Sequence, residues 1–137
     1  MLQQYANDIE ESNASRKGII FMAAGGLLHI ALKTRNLKLT EKFYTEVLGL
    51  KVAFRVPPDM VFLRTPGSQD LVNFVKSTAK LVRSGGLDHF GFKTTASGLN
   101  RLEKKLKENG VAIAGRRGKH AIYFLDPNGY SIECYCD

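Results

Sequence analysis

The chain has 137 residues, 44% hydrophobic and 24% charged, the proportions of one globular domain with a buried core; wholesale disorder is excluded. Lysines and arginines number 20 against 13 aspartates and glutamates, a net charge of +7 that suits nucleic acid, an acidic membrane surface or small anions. No zinc-finger spacing, basic zipper or aromatic ribonucleoprotein motif accompanies that charge, so nucleic acid is not an expected partner. No apolar run reaches the roughly 18 residues of a spanning helix, so no membrane helix is expected either.

The chain opens MLQQYANDIEES, acidic where a secretory leader is basic, which points to a cytoplasmic protein. Residues 1–26 form an N-terminal extension: residues 2–12 suit a short helix, Arg16 to Met22 suit a strand or a link, and Met22 is a candidate alternative start.

From Leu27 the segment LLHIALKT reads as a strand. A helix follows with Leu39, Phe43, Tyr44, Val47 and Leu48 on one face, and Gly49 stops it. The apolar pair after that glycine begins another strand. Met60 to Arg64 and Asp70 to Val75 then pair across the turn Thr65-Pro66-Gly67. Val75 to Gly86 is polar and glycine-containing, a link.

The same order then recurs. LDHFGFKT (87–94) aligns with LLHIALKT (27–34) at an offset of sixty residues, with Leu, His, Lys and Thr identical. A helix carrying Leu99, Leu102 and Leu106 ends at Gly110, and the strands Ala121 to Leu125 and Tyr130 to Tyr135 flank the turn Asp126-Pro127-Asn128-Gly129. The expected fold class is therefore α+β: two tandem βαβββ modules, 27–80 and 87–137, whose mixed sheets together enclose a cleft. Cys134 and Cys136, two apart on a strand, are expected as free thiols.

The repeat gives two of the three histidines equivalent positions. Strand alternation turns His29, Ala31 and Lys33 away from the helix, while Leu28, Ile30 and Leu32 face it. In the last strand Glu133 shares a face with Tyr135, and the two cysteines face the other way. The repeat offset carried back from Glu133 falls on Asn73, a polar residue inside the apolar strand LVNFV. His29, Asn73, His89 and Glu133 thus converge on one cleft. Two imidazoles and one carboxylate form a facial triad for a divalent metal, with iron(II) and manganese favoured over zinc or nickel. Arg116, Arg117 and Lys119, in a glycine-flanked loop, are candidates to steer an anionic substrate.

At LLHIAL, KFYTEVLGLKV, LDHFGF and IYFLDPNGYSIE the sequence resembles the vicinal oxygen chelate superfamily, which includes glyoxalases, bleomycin-resistance proteins and extradiol dioxygenases. The resemblance spans residues 27 to 137 and implies paired modules around a partly closed cleft in a homodimer. It also implies a divalent metal on His29, His89 and Glu133. Its extradiol members implicate a second-sphere histidine and tyrosine, for which His120 and Tyr130 are the candidates; this chemistry is the first expectation. Asn73 departs from glyoxalase I, which carries glutamate there, and matches in kind the glutamine of epimerases. Ala31 departs from the threonine of thiol-transferring fosfomycin enzymes. A lyase or isomerase, a fosfomycin-type transferase, and a metal-free antibiotic-sequestering protein are the alternatives.

Overall fold

A computed structural model describes residues 23–81 and 85–137, together with Gln3. The expected helix at 2–12, the strand or link at 16–22, the start at Met22 and part of the link before Gly85 lie outside the described residues or almost wholly so.

The first module contains β1 (Ile30–Thr34), α1 (Leu37–Glu46), β2 (Lys51–Val56), β3 (Met60–Arg64) and β4 (Val72–Lys76). The second contains β5 (Phe90–Lys93), α2 (Ala96–Glu108), β6 (Ile113–Arg117), β7 (Ala121–Leu125) and β8 (Ser131–Tyr135). Each module builds its own four-stranded mixed sheet, in the orders β1-β4-β3-β2 and β5-β8-β7-β6. The first and last strands of a module run parallel and the remaining pairs antiparallel.

Both helices start and stop on local chemistry. The Asn36 side chain accepts from the Leu39 N–H at 2.9 Å, and Thr95 Oγ1 accepts from the Gly98 N–H at 3.0 Å, each satisfying an otherwise free helix donor. At the other ends Gly49 (φ 78) and Gly110 (φ 69) take left-handed backbone. That reversal lets Leu50 N–H reach Tyr44 O at 3.0 Å and Val111 N–H reach Leu106 O at 2.8 Å.

Alternation then sorts the side chains. Leu32, Val61, Leu63 and Phe74 from the first sheet join Phe90, Ile122, Phe124 and Ile132 from the second in one buried cluster with the apolar faces of both helices. The two sheets therefore turn their inner faces toward a shared core, and among the described residues no helix covers their other faces. Polar ties cross the same junction: Thr34 Oγ1 donates to Asn128 Oδ1 at 2.6 Å, and Tyr130 Oη donates to the Lys33 carbonyl at 2.8 Å. No helix among the described residues is long and apolar enough to cross a membrane.

Two details differ from the sequence reading. His29 and His89 stand one residue before β1 and β5, not within them. Arg116 and Arg117 belong to strand β6 instead of a loop, because β6 pairs with β7 through Arg117 opposite Ala121.

Candidate functional site

Register lays the site out. Ala31 faces Asn73 across β1 and β4, and Gly91 faces Glu133 across β5 and β8, so the sixty-residue offset survives in three dimensions. On the other flank Phe62 lies opposite Asn73, and Tyr123 opposite Glu133. Each open face thus carries a histidine, an aromatic ring and a polar residue in the same arrangement.

In the second module these groups touch. His89 Nε2 lies 3.1 Å from Glu133 Oε2, Tyr123 Oη donates to Oε1 at 2.9 Å, and Arg117 donates to the same oxygen at 2.8 Å. The Glu133 side chain is only 14% exposed, so these donors replace most of its water. On its other side His89 Nδ1 meets Asp88 Oδ2 at 2.6 Å. That bond, above all, pushes the imidazole above its ordinary pKa, and it directs Nε2 toward Glu133. The Tyr123 phenol is also held above its ordinary value, chiefly by its hydrogen bond to Glu133. The Arg117 guanidinium lies 4.9 Å from the centre of the Tyr135 ring. Arg117, Glu133 and Tyr135, together with Gly91 and Lys93, border a hollow of about 290 Å³.

The first module matches the layout with different chemistry. His29 is exposed and set edge-on to Phe62, centroids 6.2 Å apart, and Phe54 stacks on Phe62 at 4.3 Å. Asn73 is 2% exposed and, among the described residues, its Oδ1 has no hydrogen-bond partner.

The remaining sequence candidates lie apart from Glu133. Arg116 points to the helix side and pairs with Glu103 of α2. Lys119 is exposed in the β6–β7 turn. His120 Nδ1 is 3.3 Å from the Cys136 carbonyl, and Tyr130 packs against the core with its hydroxyl on Lys33. Cys134 and Cys136 are buried free thiols, as expected. Sequence reasoning missed Tyr123, Asp88 and Gly91. Tyr123 was recoverable from alternation once β7 was set beside β8; Asp88 has Leu28 as its counterpart and so left no trace in the repeat.

His29 does not join His89 and Glu133: among the described residues no three histidine, cysteine or acidic side chains converge on one point within the chain. The pair that does converge fits a metal. Bonds of about 2.1 Å at right angles hold neighbouring ligand atoms about 3.0 Å apart, close to the 3.1 Å between His89 and Glu133. Gly91 keeps the approach clear: a Cβ there would stand 3.2 Å from the Glu133 carbonyl and 3.8 Å from its Oε2.

The family model of the Glyoxalase/Bleomycin resistance protein/Dioxygenase superfamily matches residues 26–134. Among solved structures, an integron cassette protein from the mobile metagenome of the Halifax Harbour sewage outfall is 28% identical over 83% of this chain and 100% of its own, with a TM-score of 0.69. Fosfomycin resistance protein FosX from Mesorhizobium loti is 18% identical over 82% of this chain and 91% of its own, with a TM-score of 0.68. A mutant of FosX from Listeria monocytogenes, complexed with Mn(II) and 1S,2S-dihydroxypropylphosphonic acid, is 17% identical over 82% of this chain and 92% of its own, with a TM-score of 0.70. Repeated modules, mirrored open faces and a family model that spans both of them have one reading: the chain belongs to the glyoxalase/bleomycin resistance protein/dioxygenase superfamily.

Proposed function

We propose that the chain is a divalent-metal-dependent enzyme acting on a small, oxygen-rich, anionic molecule, with His29, His89 and Glu133 as the metal ligands. The carrying observation is the His89–Glu133 pair, 3.1 Å apart on an open face. Two imidazoles and a carboxylate suit iron(II) or manganese best, and zinc or nickel next.

Within the chain His29 borders a hollow with Gly91 and Lys93, yet among the described residues it does not converge with His89 and Glu133. A homodimer resolves this: His29 of one protomer meets His89 and Glu133 of the partner subunit, twice by symmetry. The exposed apolar residues of the first sheet, Val52, Phe54 and Val56, are then covered.

The bound metal supplies Lewis acidity to a substrate oxygen. The chain's residues do the remaining work. Tyr123 and Arg117 fix the orientation of Glu133, and Asp88 fixes that of His89. Lys93 and Arg117, on the Glu133 face, attract an anionic group, and Lys119 adds a positive charge in the β6–β7 turn. Asn73 lines the opposite wall. Arg116, engaged with Glu103 on the helix side, has no part in this scheme.

Extradiol-type ring opening fits three protein ligands, since open positions remain for two substrate oxygens and dioxygen. His120 bonds to the Cys136 carbonyl and Tyr130 to the Lys33 carbonyl, and this scheme assigns neither an acid or base role. The alternative is redox-neutral attack on an anionic oxygen substrate, of the fosfomycin type. It is favoured by the two cations beside Glu133 and by the FosX complex with Mn(II) and a phosphonic acid.

Metal content of protein purified without chelator, measured beside a His29→Ala, His89→Ala double variant, tests the proposal. About one equivalent of metal per chain in the wild type and none in the variant is expected. Loss of fosfomycin against oxygen uptake with catechol then separates the two reactions. An absence of metal after reconstitution overturns the enzyme reading in favour of metal-free sequestration.

A further inference from the structure

A second hollow, of about 830 Å³, lies on the helix side of the first sheet, and none of the residues placed in the metal site borders it. Arg35, Lys38, Lys42, Arg55 and Lys76 line it, with Glu41 and Glu46 as its carboxylates. Helical spacing brings Lys38, Glu41, Lys42 and Thr45 onto one flank of α1, while Thr40, Phe43 and Tyr44 are buried in the core. Arg55 reaches α1 from β2, and Lys76 leaves β4 on the same face as Val72 and Phe74 of the core. The hollow therefore belongs to the face opposite to that of Asn73.

Its charges are poorly matched. Arg55 donates to Glu41 at 2.6 Å, which neutralises that pair. Among the described residues Arg35, Lys38, Lys42 and Lys76 form no ion pair, and Glu46 is the one carboxylate left to offset them, so three positive charges remain in surplus. No acidic residue stands in the first turn of α1. Lys38 and Lys42 are an i,i+4 pair of like charge, an arrangement that weakens a helix. A bound anion would offset that repulsion.

The charge is densest at one end. β1 and β4 run parallel with Thr34 opposite Lys76, so Arg35, the next residue, emerges beside the end of β4. Lys38 follows three residues later, at most about 10 Å along the chain. Three cations from three elements thus crowd one end of the hollow. Such density suits phosphates linked in a chain, whose charges repeat every few ångströms. It suits an acidic peptide less well, since carboxylates on one side of an extended chain stand about 7 Å apart.

We propose that this hollow binds a small molecule bearing a chain of two or three phosphates, held by Arg35, Lys38 and Lys76, with Lys42 adding charge along α1. Guanidinium and ammonium groups form charge-assisted hydrogen bonds to phosphate oxygens. Leu37 and Pro58 give the rest of the hollow an apolar surface. The site is separate from the metal face and independent of the reaction proposed there.

Inorganic tripolyphosphate is the probe, titrated by calorimetry into the full chain after chelation of metal and dialysis, with backbone amides followed by nuclear magnetic resonance. One equivalent is expected to bind per chain, more weakly as salt is raised, with amide shifts centred on residues 35–42 and 76. The double variant Lys38→Gln, Lys76→Gln changes two exposed side chains and is expected to weaken binding at least tenfold. Lys104→Gln with Lys107→Gln, an equal loss of charge on α2, and Lys93→Gln with Arg117→Gln, on the Glu133 face, are each expected to change it less than twofold. Adenosine triphosphate separates the two sources of such a chain: tighter binding than tripolyphosphate assigns the apolar surface to a nucleoside, and equal binding assigns the site to inorganic polyphosphate. Either result upholds the proposal. An absence of saturable binding, an equal loss in either control variant, or hexaglutamate binding as tightly as tripolyphosphate overturns it.

Discussion

The phenol of Tyr44 in α1 donates to Oδ2 of Asp126, in the β7–β8 turn of the other module, at 2.8 Å. Asp126 also accepts from the backbone N–H groups of Asn128 and Tyr130 at 2.8 and 2.9 Å, so one carboxylate closes its own turn and joins the two modules. Burial, the largest influence, still pushes its pKa above the ordinary range despite these donors. The folded state thus holds this proton more firmly than the unfolded chain. The stability gained from that preference is present below the unfolded pKa and is lost as pH rises through the folded one. Tyr44→Phe removes a donor from a buried charge and is expected to cost about 1–2 kcal/mol at neutral pH. Its cost should shrink as the solution is acidified through the Asp126 pKa, because the protonated carboxyl needs fewer donors. Urea melts of wild type and variant at neutral and acidic pH measure both effects; a cost that grows on acidification contradicts this account.

Cys134 faces the core from β8, and burial foremost pushes its thiol up to about 12. At pH 8 only about one molecule in ten thousand would then carry the reactive thiolate, and the residue is 2% exposed. Iodoacetamide is expected to leave Cys134 unmodified in the folded protein and to label it fully in denaturant, as read by peptide mass spectrometry. Labelling of the folded protein at the rate of a free thiol would be the contrary result.

Gly91 faces Glu133 across β5 and β8, and any Cβ there would press on the Glu133 carbonyl at 3.2 Å. Gly91→Val is expected to displace the carboxylate and weaken manganese binding about tenfold or more by calorimetric titration, the scale on which neighbours of metal ligands act. The fold should persist, because the added methyls point to the open face and not into the core. A variant that binds manganese as tightly as the wild type would remove Gly91 from the site.

Much of this layout was legible in the sequence because strand alternation is rigid: once His29 and His89 are set on equivalent strands, Asn73 and Glu133 follow at the same offset. The charged residues were less legible. Arg116 and Arg117 are adjacent in one basic stretch, yet β6 sends the first to Glu103 and the second to Glu133. A register shift between Ile113 and Gly115 sits just upstream, and local composition does not encode it. The role of Tyr130 was hidden for another reason: its partner, the Lys33 carbonyl, lies in the other module, and only the packing of the two modules brings them together.

The strongest test of the shared site uses two defective chains. His29→Ala removes the proposed ligand from the first sheet and Glu133→Ala the proposed ligand from the second, so each homodimer alone should lose both of its metals. Random mixing of the two gives half heterodimers. In each of these, one cleft combines both lesions and the other combines an intact His29 with an intact Glu133. The mixture should therefore regain about a quarter of the wild-type metal content after co-refolding, a recovery that a site within one chain cannot produce. Metal analysis of the mixture beside each parent reads this out. Recovery near zero, from a mixture that native mass spectrometry confirms to contain heterodimers, would return all three ligands to a single chain, and a His29→Ala homodimer that keeps its metal would remove His29 from the set.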